Sequence, residues 1–332
     1  MKPAAKGKYT RVELKEHSEA FWPLLWLNAA ALAVHLAFAV AFFSAESKPS
    51  HDVQLVRVVS NWTSRGLDGF ALSLEDDTTI SYKTLGGFSF AAAVVAHLVA
   101  VYALAAWLSW QTQGSFAHWY VRSLASGWHV LRWVEYGVSA SAQAVTIALG
   151  VGIREKNLLL LIFMSHTVVM FFGYLAELFA RPVTVHPPES RQETKDGCCT
   201  RCCGWLPTWL SGLVQHDEHV SWSHGTVIRL MPFLGGVLAI TGPWIVIFTA
   251  FANSVDDTRS MRAVGAREMP WWVNLALFGT FITFISFAFN ALVFLVLQPT
   301  LHRFVFCEGI YVVLSLTSKV WLGALVYVNL IL

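Results

Sequence analysis

The sequence predicts an all-α membrane protein, a bundle of seven transmembrane helices with a small extracellular β-sheet in its first loop. Three observations predict it. Apolar residues make up 55% of the 332-residue chain and charged residues 13%, with fifteen tryptophans and twenty-three phenylalanines, a surface that no ordinary water-soluble domain would tolerate. Apolar runs recur at about 21–45, 86–110, 128–151, 157–180, 226–252, 270–298 and 304–331, each near or above the roughly 20 residues that span hydrocarbon. The third is the basic bias of one set of connections. There is no internal repeat, so residues 1–332 read as one domain, and a net charge of +2 offers no case for nucleic-acid binding.

The first twenty residues carry Lys2, Lys6, Lys8, Arg11 and Lys15 without an apolar core, which makes them a basic juxtamembrane tail and no signal peptide. Counting the tail and the even-numbered loops with their adjoining helix starts gives thirteen lysines and arginines, against nine on the other side. Basic residues favour the cytoplasm, so the N-terminus is expected inside and, after seven spans, the C-terminus outside. The first loop, 46–85, holds the β-branched run Asp52–Val59, then Phe70–Leu74 and Thr79–Tyr82 around an acidic turn, and reads as an extracellular sheet packed on the helix ends or against a second protomer. The sequon Asn61-Trp62-Thr63 lies in it, a possible glycan acceptor on the same side.

The other long loop, 181–225, is polar and holds Cys198, Cys199, Cys202 and Cys203 beside Trp205 and Trp209. Three readings stay open for these cysteines. Juxtamembrane position suits S-acylation, a reducing compartment suits an inert thiol cluster, and His216, His219 and His224 nearby would allow a metal, although adjacent Cys pairs make a poor tetrahedral frame. Cys307 reads as a packing residue.

Lys319 stands in the middle of the last segment, with no other charge between Glu308 and the C-terminus. A lysine that deep costs roughly 3 kcal/mol or more on insertion scales, so it calls for a function. Its obvious partner is Glu135, alone among apolar residues in Arg132-Trp133-Val134-Glu135-Tyr136. An intramembrane lysine with a single distant carboxylate has the pattern of a retinal Schiff base and its counterion. The same pattern also fits a buried ion pair that only orients two helices.

Ser315 lies one turn before Lys319 on the same face, and Glu308 about three turns before it. The third segment has a polar stripe, Arg132, Glu135, Ser139, Gln143 and Thr146, as expected of a helix facing a bundle interior or hydrated cavity. His35, His97, and His166 with Glu177 are each flanked by apolar residues. Each histidine alone reads as a core residue satisfied by a carbonyl or water, while together with Glu135 they suggest a proton-accepting network. Trp244, Phe281, Phe284, Phe287 and Trp321 have the bulk to enclose an apolar polyene, though such rings pack in any membrane helix.

On these residues the chain resembles the heliorhodopsins. Ser315-x-x-x-Lys319, the run Arg132-Trp133-Val134-Glu135-Tyr136-Gly137-Val138-Ser139-Ala140-Ser141, the inside N-terminus, the long first loop, and His35, His97, Gly173, Glu177 and Glu308 all match that family's pattern over all seven segments. The resemblance implies all-trans retinal on Lys319, Glu135 as counterion, and Ser315 where pumping rhodopsins carry a second acid. Trp133, Tyr136, Ser139, Gln143, Gly173 and Trp244 complete the expected chromophore site, and His35 and His97 map to a cytoplasmic-side cavity. Also implied are a dimer joined through the first loops and a slow photocycle without pumping. The sequence departs from the family's pattern at His129 and His166, where asparagines are expected, and at Gln143. His129 and Arg132 join His35, His97, His166, Glu177 and Glu308 as the expected proton network.

Two functions follow as expectations, neither of them enzymatic. The first is a photosensor that signals to a cytoplasmic partner, and the second a light-gated passive proton conductance through the buried acids and histidines. The position about three turns beyond the counterion, where outward pumps hold a proton donor, is Thr146. A receptor for a soluble ligand, with Lys319 and Glu135 as a plain ion pair, is a distant third.

Overall fold

The computed structural model describes residue 19 and residues 21–45, 51–63, 66–109, 115–180, 182–185, 220–222, 226–260, 270–296 and 301–331. Eight α-helices lie among them: α1 (Phe21–Ser44), α2 (Tyr82–Leu108), α3 (Ser115–Ala125), α4 (Val130–Gly150), α5 (Lys156–Phe179), α6 (Thr226–Ser260), α7 (Trp271–Val296) and α8 (Leu301–Val326), the last continuing into a π-helical turn, Tyr327–Ile331. Six of them, α1, α2, α5, α6, α7 and α8, are long and apolar enough to cross a membrane. The chain is therefore an integral, multi-pass membrane protein.

Two helices are left out of that set: α3, which is only 11 residues long, and α4, whose polar stripe lowers its hydropathy. Helix α4 is also the most interior, with every residue from Ser139 to Leu149 buried, whereas α5 buries only Leu159, Ile162, His166, Ala176 and Glu177. Small residues, Ser139-Ala140-Ser141-Ala142, let its backbone approach α2 and α5 closely, which is how helices gain packing where lipid leaves no hydrophobic drive. Contacts run α1–α2–α4–α5–α6–α7–α8 and back to α1, closing a ring. Two apolar clusters bracket its middle. One holds Phe21, Trp107, Tyr120, Leu124 and Phe304, and the other Phe42, Phe90, Leu159, Trp244 and Leu322.

Glycine turns fix α4 at both ends. Gly127 (φ 76°) stops α3, with the amides of Gly127 and Trp128 donating to Leu124 O and Ser123 O. Gly152 (φ 97°) ends α4 the same way, through Leu149 O and Ala148 O, the pattern of a Schellman cap. Glu155 then caps α5, its carboxylate accepting from the amides of Asn157 and Leu158.

Four sequence expectations need correction. Helix α2 begins at Tyr82, because the Ser81 side chain accepts from the Lys83 amide and starts the helix inside the stretch assigned to the first loop. Helix α6 runs to Ser260 through Pro232 and Pro243, each removing one backbone donor, so the apolar run ends before the helix does. Helix α3 was not anticipated; it is short, and packs on α2 and α8 through Tyr120, Val121 and Leu124. In the first loop β1 (His51–Thr63) pairs antiparallel with β2 (Gly66–Ile80), and the acidic run Glu75-Asp76-Asp77 lies within β2, not at a turn. The register shifts beside it, at Val53/Gln54, which takes up Asp77 as an extra residue. A second hairpin, β3 (Pro182–Val185) with β4 (Val220–Trp222), bounds the other long loop. Cys198, Cys199, Cys202 and Cys203 lie outside the described residues.

Candidate functional site

Lys319 is 3% exposed and its Nζ lies 3.1 Å from Glu135 Oε1. Helical spacing on α8 puts Ser315 one turn away, and Nζ donates to its Oγ at 2.5 Å. The ammonium also stands 5.1 Å from the centre of the Tyr136 ring. Two sequence-predicted partners thus meet the lysine directly, one from α4 and one from its own helix.

Beside this pair opens a cleft of about 830 Å³, the open space at its mouth included. Helix α4 contributes Trp133, Tyr136, Ser139, Ala140 and Gln143; α5 contributes Val169, Met170 and Gly173; α6 runs past it from Pro232 to Ile240. Phe284, Phe287, Ala288 and Ala291 of α7 and Tyr311, Ser318 and Lys319 of α8 complete the wall. Lys319 is the single charged residue of that lining. Gly173 is required here, because a Cβ would fall on the six-membered ring of Trp133. An apolar space with one primary amine at its side suits an apolar ligand that carries a carbonyl group able to condense with an amine.

Trp244 does not line the cleft. It stands behind, 5.6 Å from Phe284 and 4.9 Å from Phe281 between ring centres, and so supports the wall without forming it. Trp321 is 40% exposed and donates to Leu275 O, outside the cleft altogether. On the other side of Lys319 a smaller space of about 290 Å³ is bounded by Phe42, Tyr82, Phe90, Ser89 and Thr146. Gln143 and Lys319 border both spaces.

The residues expected to form one proton network fall into three groups. At the start of α4, Arg132 bridges two carboxylates, Nη1 to Glu308 and Nη2 to Glu177. His129 completes this group, its Nδ1 2.6 Å from Glu308 Oε1 and its backbone amide donating to Glu177 Oε2 at 3.0 Å. The Arg132 guanidinium lies over Tyr311 at 4.1 Å and Trp133 at 4.8 Å. The second group is His35 stacked on His97 at 5.0 Å, with His97 Nδ1 2.8 Å from Asn28 Oδ1. His166 forms the third alone, its Nδ1 donating to Ile162 O at 2.8 Å, among Trp244 and Phe284. No direct hydrogen bond joins the three groups among the described residues, since different helix faces carry them.

Two contributors escaped the sequence reading. Tyr311 lines the cleft, carries Arg132 on its ring and accepts the Tyr136 hydroxyl at its carbonyl, 2.9 Å away. Its spacing from Ser315 and Lys319, four and eight residues, already put it on their face. Asn28 lies two turns before His35 on α1, a buried amide in an apolar run.

The family described as Heliorhodopsin matches residues 24–221 and 207–331. A putative manganese efflux pump, MntP, of Cronobacter sakazakii is 27% identical over 115 residues, 28% of this chain and 62% of that protein. The chain thus spans less than two thirds of that relative's length, and among the described residues no group of three or more His, Cys, Asp or Glu side chains is arranged to hold a metal ion.

Proposed function

Because the chain belongs to the heliorhodopsin family, we propose that it is a light-sensing photoreceptor in which Lys319 carries all-trans retinal as a protonated Schiff base and Glu135 is the single counterion. The observation that carries this reading is the 3.1 Å approach of Lys319 Nζ to Glu135 Oε1 at the wall of a cleft with no other charge in its lining. The retinal, when bound, supplies light absorption and a change of shape. Glu135 offsets the positive charge at Nζ and holds the proton there, while Ser315 Oγ fixes the orientation of the lysine. Helices α5, α6 and α7 supply apolar wall to the cleft.

We take α4 as the third of seven spans, the N-terminus as cytoplasmic, and the β1–β2 hairpin as an extracellular element that joins two copies. The basic bias of the tail and even-numbered loops supports that orientation. The proposed output is a slow conformational signal to a cytoplasmic partner, without ion pumping. Thr146, at the donor position of outward pumps, already gives its hydroxyl to Ala142 O at 2.8 Å, and Ser315 stands where a second acid would be. A passive proton conductance is the second reading, favoured by the buried acids and histidines and by the small space that Gln143 and Lys319 share with the cleft.

Purified protein reconstituted with all-trans retinal should acquire a visible absorption band. Lys319→Ala should lose that band while keeping its helical circular dichroism. A normal pigment in the variant would overturn the assignment of Lys319.

A further inference from the structure

The charges around Arg132 do not balance. One guanidinium faces two carboxylates, Glu177 and Glu308, and all three residues are 4% exposed or less. One negative charge is left over where an uncompensated charge is strongly unfavourable. The group within reach that can cancel it is His129, in contact with Glu308 through Nδ1 and with Glu177 through its backbone amide. His129 Nε2 is buried and has no hydrogen-bond partner. The other titratable groups facing the cluster are Glu135 from α4, itself paired with Lys319, Tyr120 from α3, edge-on to His129 at 5.2 Å, Cys307 and Tyr311 from α8, Tyr136 from α4 and His97 from α2. The tyrosines and the cysteine supply no positive charge at neutral pH, and His97 is engaged with Asn28.

We propose that this cluster is a second proton-binding site, holding one proton shared between His129 and Glu308 and exchanging it with water when light changes the shape of the retinal cleft. The proposal rests on the retinal-binding reading above and adds a site away from Lys319. The coupling runs through rings. Trp133 and Tyr311 form part of the cleft wall and also carry the Arg132 guanidinium on their faces, while the Tyr136 hydroxyl ties the third ring of that wall to Tyr311 O. A chromophore that pushes on these rings therefore moves the cation that offsets Glu177 and Glu308. At an effective dielectric of about 20, displacing a guanidinium by about 1 Å alters the proton affinity of a neighbouring carboxylate by roughly tenfold. A purely structural cluster would keep its proton count through the photocycle.

The test is a flash experiment on retinal-reconstituted protein in detergent, with a soluble pH dye reporting protons and the visible band reporting the pigment. The unmodified protein should release or take up on the order of one proton per converted pigment, with matching infrared changes in the carboxyl and imidazole regions. His129→Asn and Glu308→Gln should each reduce that signal at least tenfold while the visible band persists, and Glu308→Asp should restore part of it. Absence of any proton signal in the unmodified protein, or an undiminished signal in both variants, overturns the proposal. Failure to form pigment in the unmodified protein would instead overturn the retinal reading. His129→Asn replaces an imidazole by an uncharged amide, so it keeps the test usable where Glu308→Gln fails to fold.

Discussion

Glu135→Gln tests the counterion, and its size can be worked from the structure. At 3.1 Å, two unit charges attract by about 5 kcal/mol at the effective dielectric of about 20 that describes such sites. Glutamine keeps the shape and returns part of this through an amide hydrogen bond, about 1 kcal/mol. The net loss, about 4 kcal/mol, weakens proton binding at the linkage nearly a thousandfold. The variant is expected to shift at neutral pH from visible to near-ultraviolet absorption, or toward the red where a soluble anion takes the vacant place. The assay is an absorption titration of both pigments with and without added chloride. An unchanged spectrum and an unchanged titration in Glu135→Gln would refute the reasoning. Glu308, which lies about three turns along α8 from Lys319, is already engaged by Arg132 and His129 and would be a poor substitute.

Gly173→Ala should drive a methyl group into Trp133, an overpacking cost of about 1–3 kcal/mol, so pigment yield, read as visible over ultraviolet absorbance, should fall several-fold; an unchanged yield would mean that this wall does not touch the chromophore. Illuminated cells should show no protonophore-sensitive pH change in the absence of an imposed gradient, because the donor position holds Thr146 and the second acid position holds Ser315. Under voltage clamp, a photocurrent that reverses with the proton gradient would favour conductance over sensing, whereas a steady outward current at zero potential and zero gradient would defeat both. Removing residues 53–79, which leaves the Ser81 cap intact, should convert dimers to monomers in mild detergent, and the size of the particle by light scattering checks it.

How far the sequence could be read depended on where each helix keeps its polar atoms. The apolar stretches of α1, α2, α5, α6, α7 and α8 are visible in composition, because their lipid-facing sides carry most of their residues. Their ends were harder to place, since Ser81 sets the start of α2 by a local hydrogen bond and α6 continues past its apolar run to Ser260. The pairing of Lys319 with Glu135 was legible because each charge stands alone in its segment, and a buried charge needs a partner. The separation of the histidines was not. His35, His97 and His166 look alike one at a time, and their grouping depends on the rotation of α1, α2 and α5, which the many apolar residues around each helix leave undetermined.

Helix α4 shows why the site itself could be found. By composition it is the least suited to lipid of the seven long helices, and it falls outside the set apolar enough to cross a membrane. Yet its polar residues all face inward: Arg132 to the acidic cluster, Glu135 to Lys319, and Ser139 and Gln143 to the cleft. A helix that gives up hydropathy must recover the cost from partners inside the bundle, and those partners are the lysine, the two glutamates and the polar atoms it turns to the cleft. Its low hydropathy therefore marks the chemistry, and it ties the two ends of the proposed mechanism to one rigid element. Glu135 and Arg132 are three residues apart on α4, on adjacent turns, so a displacement that begins at Lys319 reaches Arg132 without crossing a loop. If that rigidity is what couples the two sites, inserting a single alanine between Trp133 and Val134 rotates Arg132 by about 100° relative to Glu135. It should uncouple proton exchange at the cluster from the colour of the pigment, and retention of both together would show that the coupling passes through α8 instead.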